Sequence, residues 1–366
     1  MILFLAPPPG RAISGGFLYN EKIVSLAPID ARKIDYRFAR YHEVDRWLDS
    51  KVDAILLDSL LFSQLDLPAV RRMARRQPLG LLYHHMPSMD PGLSSQQQLA
   101  RTGSEMRKLR HCSLIIAPSR YVARTVRSRF AHRGWRPPTI AVVRPGVSSA
   151  HTNRSRAQNV LREPDCRGGM ERPARILTVA NLHRRKAQHR LLDALERLRR
   201  FSWRWDIVGS HESDPDYAER FNDLIRRSPV AGRVAIHGVV SPEQVSDLYA
   251  EADLFALASR FETFGMVFTE AASHAVPSVA EAVGGIPEAV SHRESGLLCR
   301  PGTSIEKPLG ALLASPQRRR QLALCARRFA ASLPDWETQA ALFSEALRRL
   351  RPSCSAIRGA KHGWTP

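Results

Sequence analysis

The sequence predicts an α/β protein of two Rossmann-like, doubly wound domains facing a cleft, and three observations carry that expectation. Short, continuous apolar runs alternate with amphipathic segments at helical spacing, the pattern of parallel strands covered on both faces. The alternation stops in a polar stretch at residues 150–172 and then restarts. The length of 366 residues also exceeds what one hydrophobic core usually serves.

The elements follow in order. ILFLA (2–6) is the first strand, and the Pro- and Gly-rich loop PPPGRAISGG follows it. DAILLD (53–58), LGLLYH (79–84), SLIIAP (113–118) and TIAVV (139–143) are the further strands of this half, with amphipathic segments at 98–111 and 119–130 between them. The second set begins with ARILTVA (174–180) and a helix bearing Leu191, Leu192, Leu195 and Leu198 on one side. WRWDIVGS (203–210), RVAIHG (233–238), DLFALAS (253–259) and PSVAEA (277–282) continue it as strands. Ser241 with Pro242 reads as an N-cap and first helical position. The expected division is an N-terminal domain at 1–150, a linker at about 150–172, a C-terminal domain at 173–335 and a helical tail at 336–366.

Composition narrows the partners. A net charge of +20 favours polyanions such as anionic lipid headgroups, nucleic acid or phosphorylated substrates. Residues 101–150 hold eleven Arg or Lys and one acid, Glu105. The same surplus also fits a genome-wide arginine bias. The five cysteines are scattered without metal-ligand spacing, which fits a reducing, cytoplasmic setting. The opening MILFLAPPPG has a six-residue apolar run and no basic flank, so it reads as a buried strand rather than a signal peptide or span.

In doubly wound sheets ligands bind beyond the C-terminal ends of the strands. The loops expected there are 7–16, 84–90, 181–186, 209–214, 259–265 and 282–287. In RFETFGMVFTEA a helix starts just after Gly265 and runs towards Pro277, leaving the Met266 and Val267 amides free for an anion. Glu262 precedes that helix start and Glu270 lies one turn into it, each able to accept hydrogen bonds from vicinal hydroxyls. In NLHRRKAQ, Arg185 and Lys186 sit between a strand end and a helix start, where cations suit a diphosphate. Gly284-Gly285 before Pro287 and Gly15-Gly16 after the first strand are weaker anion-tolerant turns. His84, beside His85, follows a strand end. Ordinary roles compete at each position: a dipole-stabilised Glu, a basic first turn, a capping histidine. There is no Walker loop and no Gly-x-Gly-x-x-Gly after a strand, so dinucleotide redox chemistry is unsupported.

These residues resemble a known family. FETFGMVFTEA, with seven residues between Glu262 and Glu270, is similar to the signature of retaining GT-B glycosyltransferases of family 4 (glycosyl transferases group 1). TVANLHRRKAQHRLLDAL resembles the family's strand–phosphate-loop–helix segment, and VGGIPEAVSHRESGLLCRPG the segment after the signature. DWETQAALFSEAL resembles its C-terminal helix, which crosses back to the N-terminal domain.

The resemblance implies a nucleotide diphosphate sugar, UDP- or GDP-linked, as donor, with no other cofactor and no protein-bound metal. It implies Glu270 on the ribose, and Glu262 with the Phe264, Gly265 and Met266 backbone on the transferred sugar. The Met266 and Val267 amides and Gly16 would meet the diphosphate, Lys186 and Arg185 would neutralise it, and His84 would contact the sugar near the reacting carbon. The basic N-terminal half, rather than the resemblance, suggests peripheral docking at the inner face of an anionic membrane, with a saccharide or lipid-linked acceptor. Two departures stand out. Ala180-Asn181 replaces the family's usual Gly-Arg, removing one phosphate-binding cation, and Lys186-Ala187 replaces Lys-Gly.

Other readings compete: an epimerase or phosphorylase of the same fold, a nucleotide-sugar binder without turnover, and a nucleic-acid binder. The last lacks a recognised motif or stacking aromatics among its basic residues, so nucleic acid is not an expected partner.

Overall fold

The computed structural model describes residues 1–9, 14–27, 34–47, 52–148 and 172–350. The expected linker therefore lies almost wholly outside the described residues, as does the tail beyond 350. The chain forms two compact units, one of Met1–Pro8, Glu21–Arg144 and Gln339–Pro366, the other of Pro9–Asn20 and Pro145–Thr338.

The first unit holds a six-stranded parallel sheet made of β1 (Ile2–Ala6), β2 (Ile34–Phe38), β3 (Ala54–Asp58), β4 (Leu79–Leu82), β5 (Leu114–Ala117) and β6 (Thr139–Val142). Their order is β2-β1-β3-β4-β5-β6. Strands β1, β3, β4 and β5 are buried throughout, as expected for runs covered on both faces. Asp58 ends β3 and caps the next helix, Ser59–Gln64, by accepting from the Leu60 amide at 2.6 Å.

The second unit repeats the plan with β7 (Ala174–Val179), β8 (Trp203–Val208), β9 (Val234–Gly238), β10 (Leu254–Leu257), β11 (Ser278–Glu281) and β12 (Gly296–Cys299), in the order β12-β11-β10-β7-β8-β9. All its pairings are parallel. Both faces are packed. Along β10, Leu254 and Ala256 enter a core with Trp203, Trp205 and Phe221, while Phe255 and Leu257 enter another with Tyr249 and Phe268. Ser241 and Gln244 form a reciprocal capping box at the helix Pro242–Glu251.

The strand order places one fact that matters for function. Between β7 and β10 the order reverses, which is the switch point where such sheets open a crevice beyond their strand ends. The loops leaving those two paired neighbours are 180–187 and 258–265.

Two strands were not foreseen, β2 and β12. Both are edge strands: β2 reads IDYRF and is only half-buried to exposed, and β12 is the four residues GLLC. Neither presents the long apolar run by which central strands are recognised. The helix after Gly265 also stops earlier than expected, at Ser273, because Ala275 takes a left-handed conformation (φ 56°) and Pro277 leads straight into β11.

Candidate active site

The first loop of the switch point is locked by its own polar groups. The Asn181 side-chain oxygen accepts from the Ser210 amide at 2.9 Å, and its carbonyl accepts from Gln188 at 3.0 Å. Arg184 is committed outward. Its Nε and Nη2 donate to the two oxygens of Asp214 at 2.6 and 2.8 Å, and its amide donates to the same carboxylate. These bonds hold the Asp214 carboxyl well below the usual aspartate range despite its burial. Ala187, entering the helix Gln188–Arg197, is left-handed at φ 51° and fully buried. A left-handed alanine costs roughly 1 kcal/mol, a strain that glycine would not carry.

The second loop is tied to the first. The Arg260 amide donates to the Arg185 carbonyl at 2.9 Å. Lys186 Nζ then reaches Glu262 Oε1 at 2.6 Å, and Ser259 Oγ donates to the same oxygen at 2.7 Å. Burial alone would raise the Glu262 carboxyl. The Lys186 and Arg185 charges, with the hydrogen bonds from Lys186 and Ser259, outweigh it and hold the group below its ordinary value. Burial in turn lowers the Lys186 ammonium, against the pull of Glu262. Arg185 adjoins this pair, and its Nε is buried without a hydrogen-bond partner.

Beyond Glu262 the helix Met266–Ser273 begins at Gly265, left-handed at φ 97°, with no side-chain cap. A Cβ at Gly265 would lie 2.7 Å from the Phe268 ring, so only glycine fits. Phe268 folds its amide back to the Gly265 carbonyl, whereas the Met266 and Val267 amides are the orphan donors of a helix start. Glu270 is half-buried, and Tyr249 donates to its Oε2 at 3.4 Å and to the Val267 carbonyl at 3.2 Å. Phe264 is buried beneath the loop.

Gly284 and Gly285 take a different part from the anion-binding turn expected of them. A Cβ on Gly284 (φ 59°) would sit 2.0 Å from the Glu262 carbonyl oxygen, and one on Gly285 2.2 Å from that of Thr263. The Gly285 amide donates to the Glu262 carbonyl at 2.8 Å. These glycines exist so that their loop can press against the Glu262 backbone and fix it.

Gly15 and Gly16 open the helix Gly15–Leu26 and group with the second unit rather than with the first, where the sequence had placed them. A Cβ on Gly15 would come 3.8 Å from the Met266 sulfur, an ordinary contact. His84 stands apart, in the first unit beyond β4. Burial lowers its pKa, opposed by Asp58, so the ring is neutral at pH 7. Its loop is pinned by the His85 amide donating to Ser59 Oγ at 2.9 Å.

Within one unit, then, the structure gathers Gly15, Asn181, Arg185, Lys186, Glu262, Gly265, Met266, Val267 and Glu270 around the switch point, with Gly284 and Gly285 as supports. Sequence reasoning missed Ser259, Tyr249 and Asp214. Ser259 closes an apolar strand and Tyr249 lies on the buried side of a helix, so each reads as core. Chemically, two helix amides and two cations are a combination able to hold an anion, flanked by two carboxylates able to accept from hydroxyl groups.

Residues 173–314 match the family described as glycosyl transferases group 1. Over 243 residues the chain is 30% identical to a GDP-mannose-dependent alpha-(1-6)-phosphatidylinositol monomannoside mannosyltransferase of Mycobacterium tuberculosis, covering 62% of this chain and 60% of the relative. The chain thus spans less than two thirds of the length of such curated relatives. Among solved structures, the sucrose-phosphate synthase from Thermosynechococcus elongatus matches with a TM-score of 0.78 at 17% identity, over 95% of this chain and 98% of that one. HepE of Anabaena in complex with UDP-glucose matches at 0.69 and 22%, over 95% and 99%. At these identities the likeness is one of fold, and the fold is GT-B.

Proposed function

We propose, from the premise that residues 173–314 belong to the glycosyl transferases group 1, that this protein is a retaining glycosyltransferase. It moves a hexosyl group from a UDP- or GDP-sugar to a hydroxyl of a saccharide or lipid-linked acceptor, in cell-surface polysaccharide or glycolipid synthesis. The observation that carries the reading is the constellation at one helix start, where Lys186, Arg185, two free amides and two glutamates converge on the switch point of the second sheet.

The roles follow from charge. The Met266 and Val267 amides take the diphosphate, and Lys186 with Arg185 stabilises it as it departs. Glu270 accepts from the ribose diol and Glu262 from a hydroxyl of the sugar. The acceptor oxygen attacks the anomeric carbon on the face the diphosphate leaves. A new C–O bond forms as the C–O bond to the β-phosphate breaks, and the acceptor proton passes to a phosphate oxygen. The reaction needs no protein-bound metal, and Glu262 is not a covalent nucleophile, unlike the carboxylate of retaining glycosidases.

No helix of the described residues is long and apolar enough to cross a membrane. The positive charge of the N-terminal half is what supports including peripheral contact with an anionic inner membrane face, from the cytoplasm, in the reading.

The test is turnover. Incubation with donor and simple saccharide acceptors, with chelator present, should release nucleoside diphosphate and give a product whose anomeric configuration matches the donor. An inverted product would exclude the retaining step. One observation favours a second reading: Asn181 is bound to Ser210 and Arg184 to Asp214, leaving two cations for the diphosphate. Donor binding with no turnover on any acceptor would favour a nucleotide-sugar-binding protein instead.

A further inference from the structure

We propose that the first unit carries a second anion site, at the opposite end of its strands from His84, which takes a phosphoryl group. A cavity of about 640 Å³ opens there, lined chiefly by Arg71, Arg75, Arg110, His111, Ser113 and Arg136. Its position follows from the topology. Ser113 leads into β5 and Arg136 precedes β6, so the cavity lies at the N-terminal ends of parallel strands, whereas His84 follows the C-terminal end of β4.

The four arginines have no carboxylate partner among the described residues. Two are held in place by other means. The Arg110 guanidinium lies 4.9 Å over the Trp135 ring, and Arg71 Nε donates to His111 Nε2 at 3.4 Å. A lone pair on Nε2 that accepts this bond means a neutral imidazole. Burial lowers the His111 pKa, and the charges of Arg71, Arg110 and Arg75 lower it further, so the ring reports a positive local potential.

The ordinary account is that basic residues cluster at helix C-termini to complement the macrodipole. It covers part of the charge only. Arg75 lies in the last turn of the helix Leu67–Arg76, and Arg110 caps the helix Ser95–Leu109. Two helix ends supply together about one negative charge, against four positive ones. Arg136 is on a loop and serves no helix end. The surplus repels itself while the cavity is empty, and a phosphoryl anion relieves it. Guanidinium groups meet phosphate oxygens in pairs, and the Ser113 hydroxyl adds a neutral donor. The volume suits a ligand as large as a diphosphate or a phospholipid headgroup.

The test uses the full chain and inorganic pyrophosphate, read at the His111 ring by NMR, because pyrophosphate will also enter the diphosphate seat of the second unit. A saturable His111 shift is expected, with its midpoint raised about tenfold or more in the Arg75→Ala/Arg136→Ala variant. An Arg75→Lys/Arg136→Lys variant keeps the charge without the fork and should fall between the two. Vesicles containing phosphatidic acid, set against pure phosphatidylcholine, separate the sources. Displacement of pyrophosphate from His111 by the acidic vesicles alone assigns the site to a lipid headgroup, and no displacement assigns it to a soluble phosphoryl compound. A His111 signal insensitive to millimolar pyrophosphate, or a midpoint unchanged by the alanine variant, overturns the proposal.

Discussion

Lys186 and Glu262, 76 residues apart in sequence, meet as a largely buried ion pair of 2.6 Å where the loops after β7 and β10 converge. Each group answers to the proposed donor: the ammonium to its diphosphate, the carboxylate to its sugar. A donor bound as proposed would therefore redistribute this pair's hydrogen bonds rather than fill a passive hole. The pairing also has a structural consequence. Removing one partner leaves the other charge buried, at a cost of about 3 kcal/mol. Lys186→Met and Glu262→Gln should each lower the urea midpoint, and the double variant should lose less than their sum. Strict additivity would show that the two side chains do not couple.

Adjacent arginines should behave differently. Arg184 is held by Asp214, whereas Arg185 adjoins the Lys186–Glu262 pair with an unpartnered buried Nε. Arg185→Ala should weaken nucleoside diphosphate binding about tenfold, the scale of one charge-assisted hydrogen bond. Arg184→Ala should leave binding within about twofold while lowering Tm. Calorimetric titration of both variants separates the two outcomes, and the reverse ranking would reassign the phosphate cation.

The Asp214–Arg184 contact gives a pH signature. The Asp214 pKa is depressed in the folded state, so its contribution to stability is full above the ordinary aspartate value and is lost as pH falls through and below it. Arg184 is 55% exposed, so solvent screening limits the contribution to about 1 kcal/mol. Wild type should exceed Asp214→Asn in Tm by a constant margin at neutral pH, and the margin should close below about pH 4. A margin that does not narrow at all between about pH 5 and pH 2.5 would contradict the assignment.

Gly284→Ala should be severe. The added methyl meets the Glu262 carbonyl oxygen at 2.0 Å, and the backbone there is left-handed. We expect a loss of about 2 kcal/mol or more in stability, with displacement of Glu262 and a fall in donor affinity. Denaturant unfolding and donor titration on the same sample check both effects. Gly92→Ala, also left-handed (φ +99°) but with nothing within 4 Å, isolates the backbone strain from the clash.

A buried cluster in the first unit governs the loop that bears His84. Ser88 Oγ donates to Glu105 Oε2 at 2.6 Å, and Arg129 Nη1 donates to both at 2.8 and 3.0 Å. Glu105→Ala leaves the buried Arg129 charge without its carboxylate and the Ser88 hydroxyl without its acceptor, and should cost about 3 kcal/mol. Hydrogen exchange should rise across residues 84–90, and protection unchanged there would free the loop from this cluster.

Much of the site was legible because its local signals are strong. Gly265 before an apolar helix start, with glutamates on either side, marks where the helix begins and which carboxylates flank it without knowledge of the fold. Continuous runs such as AILLD and LIIA mark central strands, while IDYRF escapes because an edge strand need not be apolar on both faces, and GLLC because four residues between a turn and Arg300-Pro301 carry too little pattern. What could not be read is what depends on contacts distant in sequence. Neighbouring Arg184 and Arg185 look alike until Asp214 claims the first. Gly284 and Gly285 look like an anion-binding turn until the Glu262 and Thr263 carbonyls are seen against them. The closing of Lys186 on Glu262 follows from the pairing of β7 with β10, which no local pattern reveals.

The central claim is that a nucleotide diphosphate sugar binds at the start of the helix Met266–Ser273. Its most direct test is ligand-dependent unfolding of wild type and Glu270→Ala against UDP-, GDP- and ADP-sugars. At a hundred times its dissociation constant, one donor should stabilise the wild type by about 2.7 kcal/mol. The variant should lose most of that gain. A flat response to every donor, or an equal gain in Glu270→Ala, would contradict the account.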